Sequence, residues 1–291
     1  MEPSLDYIPR IRSYYQALGY GTPYAWAHFE DVPFTGLKRP VAEMRIGIVT
    51  TAARFDPSKG AQGPGAPYNG AAKFYEVYAA PIAPAPDLRI SHIAYDRAHT
   101  TAQDQRSYFP LEALRALDVQ VSRRFYGLPT NRSQKVTLDQ DCPALVAACQ
   151  EDGVEAAVLV PNCPVCHQSV SFAARALEAA GIATVIMGCA RDIVEHVGVP
   201  RLVFSNFPLG NGAGRPNDPE SQIETARLAL DLLDKAEGPR ATVRSPLDWG
   251  GVVGWQDDYS NALKLTDAEI ARRRAEFDRG KAAARAVRAG D

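Results

Sequence analysis

The sequence has no apolar run long enough to cross a bilayer, and its first residues lack the basic and then apolar regions of an export signal. A helical membrane anchor is therefore set aside, and a cytoplasmic protein is the expectation. Charge of one sign is also scarce. With a net charge of −2 and a pI near 6.2, there is no electrostatic reason to expect nucleic acid or a membrane surface as a partner. No G-x-G-x-x-G sits tightly between a strand and a helix, and no Walker pattern occurs, which disfavours nucleotide binding. Cysteine is sparse, five in 291 residues, and the number is odd. That argues against a disulfide framework and for reactive or buried thiols. There is no internal repeat and no disordered linker, while 46% hydrophobic content can bury a sizeable core.

What is present centres on Val158 to Val170, VLVPNCPVCHQSV. Val158, Leu159 and Val160 form a short aliphatic run typical of a strand buried on both faces, and Pro161 and Asn162 stop it. From about His167 the period becomes helical, through Val170, Ala173 or Ala174, Leu177 and Ala180, until Gly181 closes the run. Cys163-Pro164-Val165-Cys166 is thus a C-x-x-C in a strand-to-helix turn, where open α/β sheets place their sites. A thiol near a helix N-terminus feels the positive end of the macrodipole, which favours the reactive thiolate. Three readings stand side by side: a thiol-redox or nucleophile pair, a metal half-site with His167 as a third ligand, and two inert core cysteines. The metal reading is the weaker, since structural zinc wants four ligands and Cys142, Cys149 and Cys189 are scattered. No metal ligand set is assigned.

Other elements surround this stretch. Leu5 to Glu43 is crowded with aromatics too irregularly spaced for one helix, so it is expected to wrap the core or supply a contact in a homo-oligomer. Met44 to Thr51 reads as a strand ending in Thr50 and Thr51, whose hydroxyls either bond a ligand or cap the turn. The loop after it carries Gly60, Gly63, Pro64 and Gly65. Leu88 to Tyr95 alternates as a strand does and runs into a polar cluster containing Asp96 and His99. Later strands at Ile182–Met187 and Arg201–Ser205 alternate with helices. This pattern predicts an α/β fold: a doubly wound, mostly parallel sheet with helices on both faces and an aromatic-rich extension. The extension spans 1–43 and the α/β domain 44–291. The loop NFPLGNGAGRP, Asn206 to Pro216, has three glycines whose backbone could approach a ligand, with Arg215 suited to a carboxylate; a plain surface turn is the alternative. Trp249 to Trp255 is an apolar, glycine-rich patch. Thr266 with Glu269 forms a capping box, and the basic residues Arg272, Arg273 and Arg274 beyond it read as a solvated face.

YYQALGYGTPYAWAHFEDVPF, YFPLEAL, VLVPNCPVCHQSV and VFSNFPLGNGAGRPNDP together resemble the substrate-binding selenoprotein B subunits of the glycine, sarcosine, betaine and D-proline reductases. Many relatives carry cysteine where others carry selenocysteine, and that position here is Cys163. The resemblance implies a reductase that cleaves a carbon–heteroatom bond of a small substrate. Cys163 would attack, Cys166 would resolve the adduct as a disulfide, and His167 would steady the thiolate or donate a proton. Thr50, Thr51, His99, Asn162, Asn206, Gly210 and Arg215 are the expected substrate-binding residues. No cofactor is expected on this chain; an external dithiol or thioredoxin-like protein would restore the thiols. The amino-acid reductases also use a pyruvoyl group made before a cysteine, commonly at Thr-Cys or Ser-Cys. Here the cysteines follow Asp141, Ala148, Asn162, Val165 and Gly188, so a companion subunit would have to supply it. Two other classes stay open. One is a racemase-like cysteine enzyme with Cys189 facing Cys163, and the other a non-catalytic thiol or metal module.

Overall fold

In the computed structural model, which describes residues 3–62, 66, 69–130, 133–251 and 253–290, the predicted α/β sheet is present. Gly63, Pro64 and Gly65 of the first loop, and Val252 of the tryptophan patch, lie outside the described residues. Among the described residues eight strands form the sheet: β1 Arg45–Thr50, β2 Tyr78–Pro81, β3 Gln120–Val121, β4 Arg124–Gly127, β5 Ala156–Val160, β6 Ala183–Gly188, β7 Arg201–Phe204 and β8 Ala241–Arg244. Their order is β8-β7-β6-β5-β1-β4-β2, with β3 pairing the start of β1. All pairs are parallel except β2 on β4. The principal helices are α1 Tyr7–Ala17, α2 Leu111–Ala116, α3 Cys142–Glu151, α4 Pro164–Ala179, α5 Arg191–Val197, α6 Pro219–Lys235 and α7 Asp267–Gly290.

Alternate residues of the central strands enter two separate cores. Ile46, Ile48, Ala156, Val158 and Val160 face α2 and α6, while Val49, Ala157 and Leu159 face α3 and α4. Both faces are therefore buried, as the aliphatic runs required. The chain leaves β1 for one side of the sheet and crosses back to β5 on the other. The direction of winding thus changes between β1 and β5, and a crevice opens there at the carboxyl ends of open α/β sheets. Thr50 pairs with Val160 in register, so the residues after both strands meet.

The leader is a helix followed by an extended strap. α1 packs beside α5, and residues beyond it lie along α4: the Ala27 N–H donates to Gln168 at 2.8 Å and the Thr35 hydroxyl to the Glu178 carbonyl at 2.8 Å. Beneath the strap a fully buried pair joins Arg201 to Glu178 at 2.8 Å, with the Arg201 guanidinium over the Phe34 ring. The strap covers this pair, and its Thr35 carbonyl accepts from the Arg201 guanidinium at 2.8 Å.

Three sequence expectations are corrected. The alternation over Leu88–Tyr95 yields only Leu88–Arg89 as strand, paired with Ala53–Arg54 outside the main sheet. The His92 and Ile93 carbonyls beyond it accept from the Arg97 guanidinium, at 2.8 and 2.6 Å, so a side chain takes the place of a neighbouring strand. Helix α4 starts at Pro164 and not near His167, because Cys163 caps it and proline suits its first position. The basic run of α7 is not a purely solvated face. Arg273 donates to the Tyr14 hydroxyl at 3.3 Å and Arg274 to the Leu18 carbonyl at 3.1 Å, because α7 folds back onto α1. The capping box at its start is formed, with the Glu269 N–H 3.3 Å from the Thr266 hydroxyl.

Candidate active site around the C-x-x-C turn

Cys163 stands one turn-length past β5, in extended conformation, and its sulfur accepts the Cys166 N–H at 3.2 Å. It is thus the N-cap of a 16-residue helix, the position at which a thiolate gains most from unpaired N–H groups and the macrodipole. Cys163 and Cys166 are joined as a disulfide, with Cα atoms 4.9 Å apart. The next residue, His167, is fully buried, and both its ring nitrogens go to backbone groups. Its Nδ1–H donates to the Cys163 carbonyl at 2.8 Å, while Nε2 accepts the N–H groups of Cys189 at 3.0 Å and Ala190 at 3.1 Å. Gly188 makes room for it, since a Cβ there would lie 3.1 Å from the ring. Burial pushes this imidazole down to about 4, so it is neutral, and both nitrogens are committed to backbone.

The group that does reach the sulfurs is His92, which the sequence pattern hid inside an apparent strand. Its Nε2–H donates to the Thr51 carbonyl at 2.8 Å, and a ring nitrogen lies within 4.8 Å of both sulfurs. Burial, with Lys73 and Arg97 adding positive charge, pushes His92 down to about 3. Thr130 bridges the two: its hydroxyl lies 3.3 Å from His92 Nε2 and 3.1 Å from Cys166 Sγ. A disulfide sulfur carries no proton, so the hydroxyl is the donor to Cys166.

A cavity of about 380 Å³ opens over Cys163. Its lining includes Thr130, His92 and Lys73, the aromatics Tyr24 and Trp26 of the N-terminal segment, and Arg272 and Arg273 of α7. Asp96 and Asp258 line it as well. His99 sits behind them, 2.9 Å from Asp96 and 3.5 Å from Asp258. Thus the N-terminal segment and α7, to which the sequence pattern assigned no chemistry, supply ten of the 25 residues that line the pocket.

Of the expected binding residues, Thr51 and Asn162 lie at the turn: the Thr51 hydroxyl accepts both Asn162 N–H groups, backbone and side chain, at 3.1 Å. Asn162 Oδ1 is buried and has no hydrogen-bond partner among the described residues. Thr50 accepts the Ala52 N–H at 3.1 Å and so caps its own turn. None of the seven expected binding residues is among those that line the cavity. Asn206 reaches the Pro3 carbonyl at 3.5 Å, Gly210 lies over Ile90, and Arg215 is held by Asp218 at 2.7 Å and by the Asp248 carbonyl at 3.1 Å. Cys189, the second cysteine a racemase-like site would need, is packed with Tyr7, Ile11 and Phe207 and does not line the cavity.

No family model matches the chain, and no solved structure matches it. Among curated proteins it is similar to the D-proline reductase subunit gamma of Acetoanaerobium sticklandii, with 30% identity over 171 residues, which are 56% of this chain and 69% of that subunit.

Proposed function

The chain belongs to the proline and glycine reductase family, and from that premise we propose that it is a thiol-dependent reductase that cleaves a carbon–heteroatom bond of a small substrate. The observation that carries the proposal is the Cys163–Cys166 disulfide beneath an open cavity, with Cys163 as the cap of α4. The Cys163 thiolate attacks carbon and expels the heteroatom, giving a thioether. The Cys166 thiolate then attacks Cys163 Sγ, the carbon leaves with the electron pair and takes a proton, and a disulfide remains. In sum, R–X and two thiols give R–H, H–X and a disulfide.

Each neighbour has a role in this scheme. Thr130 donates to Cys166 Sγ and so supports the resolving thiolate, while neutral His92 holds Thr130 and the Thr51 turn in place. His167 is a positioning residue that ties the turn to the end of β6. Lys73 and the two arginines of α7 offer positive charge for an anionic group on the substrate. An external dithiol or thioredoxin-like protein restores the thiols, which fits a cytoplasmic setting. A pyruvoyl group does not fit this chain, because no cysteine follows serine or threonine and Cys142, Cys149 and Cys189 are buried. If the substrate needs one, a companion subunit brings it, as the word subunit in the relative's name suggests.

The test is intact mass spectrometry after incubation of Cys166→Ser and Cys163→Ser with candidate substrates, D-proline among them. An adduct retained only by Cys166→Ser supports the scheme. If product accumulates while acid-quenched wild-type protein keeps both peptides fully alkylatable, the redox mechanism is wrong.

A further inference from the structure

We propose that the reduced turn is also a binding site for a borderline-soft divalent cation of the zinc class, with Cys163, Cys166 and His92 as ligands. The three ligand atoms, two sulfurs and an imidazole nitrogen, lie within 4.8 Å of one another, and all three residues are buried. A tetrahedral zinc with sulfur at about 2.3 Å and nitrogen at about 2.0 Å separates its ligand atoms by roughly 3.5–3.8 Å. The two sulfurs must part, which reduction of their bond achieves, and the ring nitrogen needs to close by no more than about 1.3 Å. Two thiolates and an imidazole select zinc-like ions over magnesium or calcium, which prefer oxygen.

The third ligand is one that sequence spacing misassigns. His167, adjacent to the pair, spends both nitrogens on backbone, whereas His92 comes from 71 positions before Cys163 and faces the sulfurs. With three protein ligands, the fourth position falls on the side of the cavity, which Cys163, His92 and Thr130 all line. A small ligand or water completes the shell, as at open zinc sites. The proton balance is simple: the ion displaces the two thiol protons, and the disulfide form binds nothing until a dithiol supplies two electrons and two protons. Metal and disulfide thus exclude one another. A bound ion withholds both thiolates, so zinc acts here as a reversible inhibitor that shields the pair from oxidation.

This inference stands on ligand geometry and does not require the reductase reading. The experiment uses the full chain, reduced with a phosphine, desalted without oxygen and titrated with Co²⁺ and then Zn²⁺. One Co²⁺ per chain is expected, with the visible bands of a tetrahedral site and near-ultraviolet thiolate-to-cobalt charge transfer, both abolished by one equivalent of Zn²⁺ or by prior oxidation. His92→Ala is expected to weaken Co²⁺ at least tenfold, while His99→Ala leaves it unchanged. Because His92 is buried and its replacement can unfold the turn, zinc-edge X-ray absorption on the wild-type chain supplies the second measurement: two sulfurs and one or more nitrogen or oxygen neighbours are expected. Absence of charge transfer, zinc without sulfur neighbours, or four sulfurs drawn from two chains would each overturn the proposal. Binding without turnover leaves this inference standing and removes the reductase reading; turnover unaffected by equimolar zinc does the reverse.

Discussion

Two loops leave the carboxyl ends of strands in the same parallel sheet, and by sequence both are candidate sites: the C-x-x-C turn after β5 and the glycine loop after β7. They differ in where their polar groups are spent. After β5, Cys163 opens to a cavity, Asn162 keeps a buried oxygen with no partner among the described residues, and Thr130 aims its hydroxyl at a sulfur. After β7, the loop is closed on itself. Arg215 is paired with Asp218, Asn211 donates to the Pro208 carbonyl at 2.9 Å, and the glycines are there for packing. A Cβ on Gly212 would lie 2.5 Å from the Met187 carbonyl, and one on Gly214 2.6 Å from the Gln222 backbone. Glycine and arginine in a strand-end loop therefore signal a ligand only if the loop's own backbone and carboxylates leave them unused.

The contrast is broken most sharply by thiol chemistry. Burial pushes Cys142, Cys149 and Cys189 up to about 12. Their thiolate fraction near pH 7.5 is on the order of 10⁻⁵, whereas a cysteine capping a helix is commonly ionised in large part. After reduction, limiting iodoacetamide should alkylate Cys163 more than about a hundredfold faster than any of these three. Peptide mapping that finds Cys189 labelled first would transfer the reactive role to the side of the glycine loop.

Acid should loosen the C-x-x-C turn before it touches the other loop. His167 and His92 are held neutral, down to about 4 and about 3, against an unfolded value near 6.5. Below 6.5 the unfolded chain takes up protons that the folded one refuses, so stability is full above that pH and falls as the pH drops toward 4. The expected loss is on the order of 3 kcal/mol from each. Denaturant midpoints at pH 7, 5.5 and 4.5 check it. A flat series would mean that these rings protonate without cost and that the turn is looser than its hydrogen bonds imply.

The smallest effect is expected at Arg215. Its ion pair is partly exposed, so Arg215→Ala should cost about 0.5 kcal/mol or less, and turnover should stay within roughly twofold. A tenfold rise in KM with an unchanged melting temperature would restore the loop as part of the substrate site.

Much of this was legible along the chain because it depends on neighbours a few residues apart. The aliphatic run of β5, the proline stop, the cysteine at the helix start and the capping glycine at Gly181, whose φ is +85°, each act within one or two turns. The strand expected over Leu88–Tyr95 and the expectation that His167 steadies the thiolate were both read from the same local spacing. In each case a contact between distant segments decided the outcome: Arg97 taking strand carbonyls, and the end of β6 taking the imidazole. Local periodicity and spacing by themselves determined that a thiol pair stands at the end of a buried strand. The tertiary structure alone decided what surrounds it. His92, Thr130, the leader aromatics and α7 meet the sulfurs only because the winding reverses between β1 and β5 and the two chain ends close over the crevice.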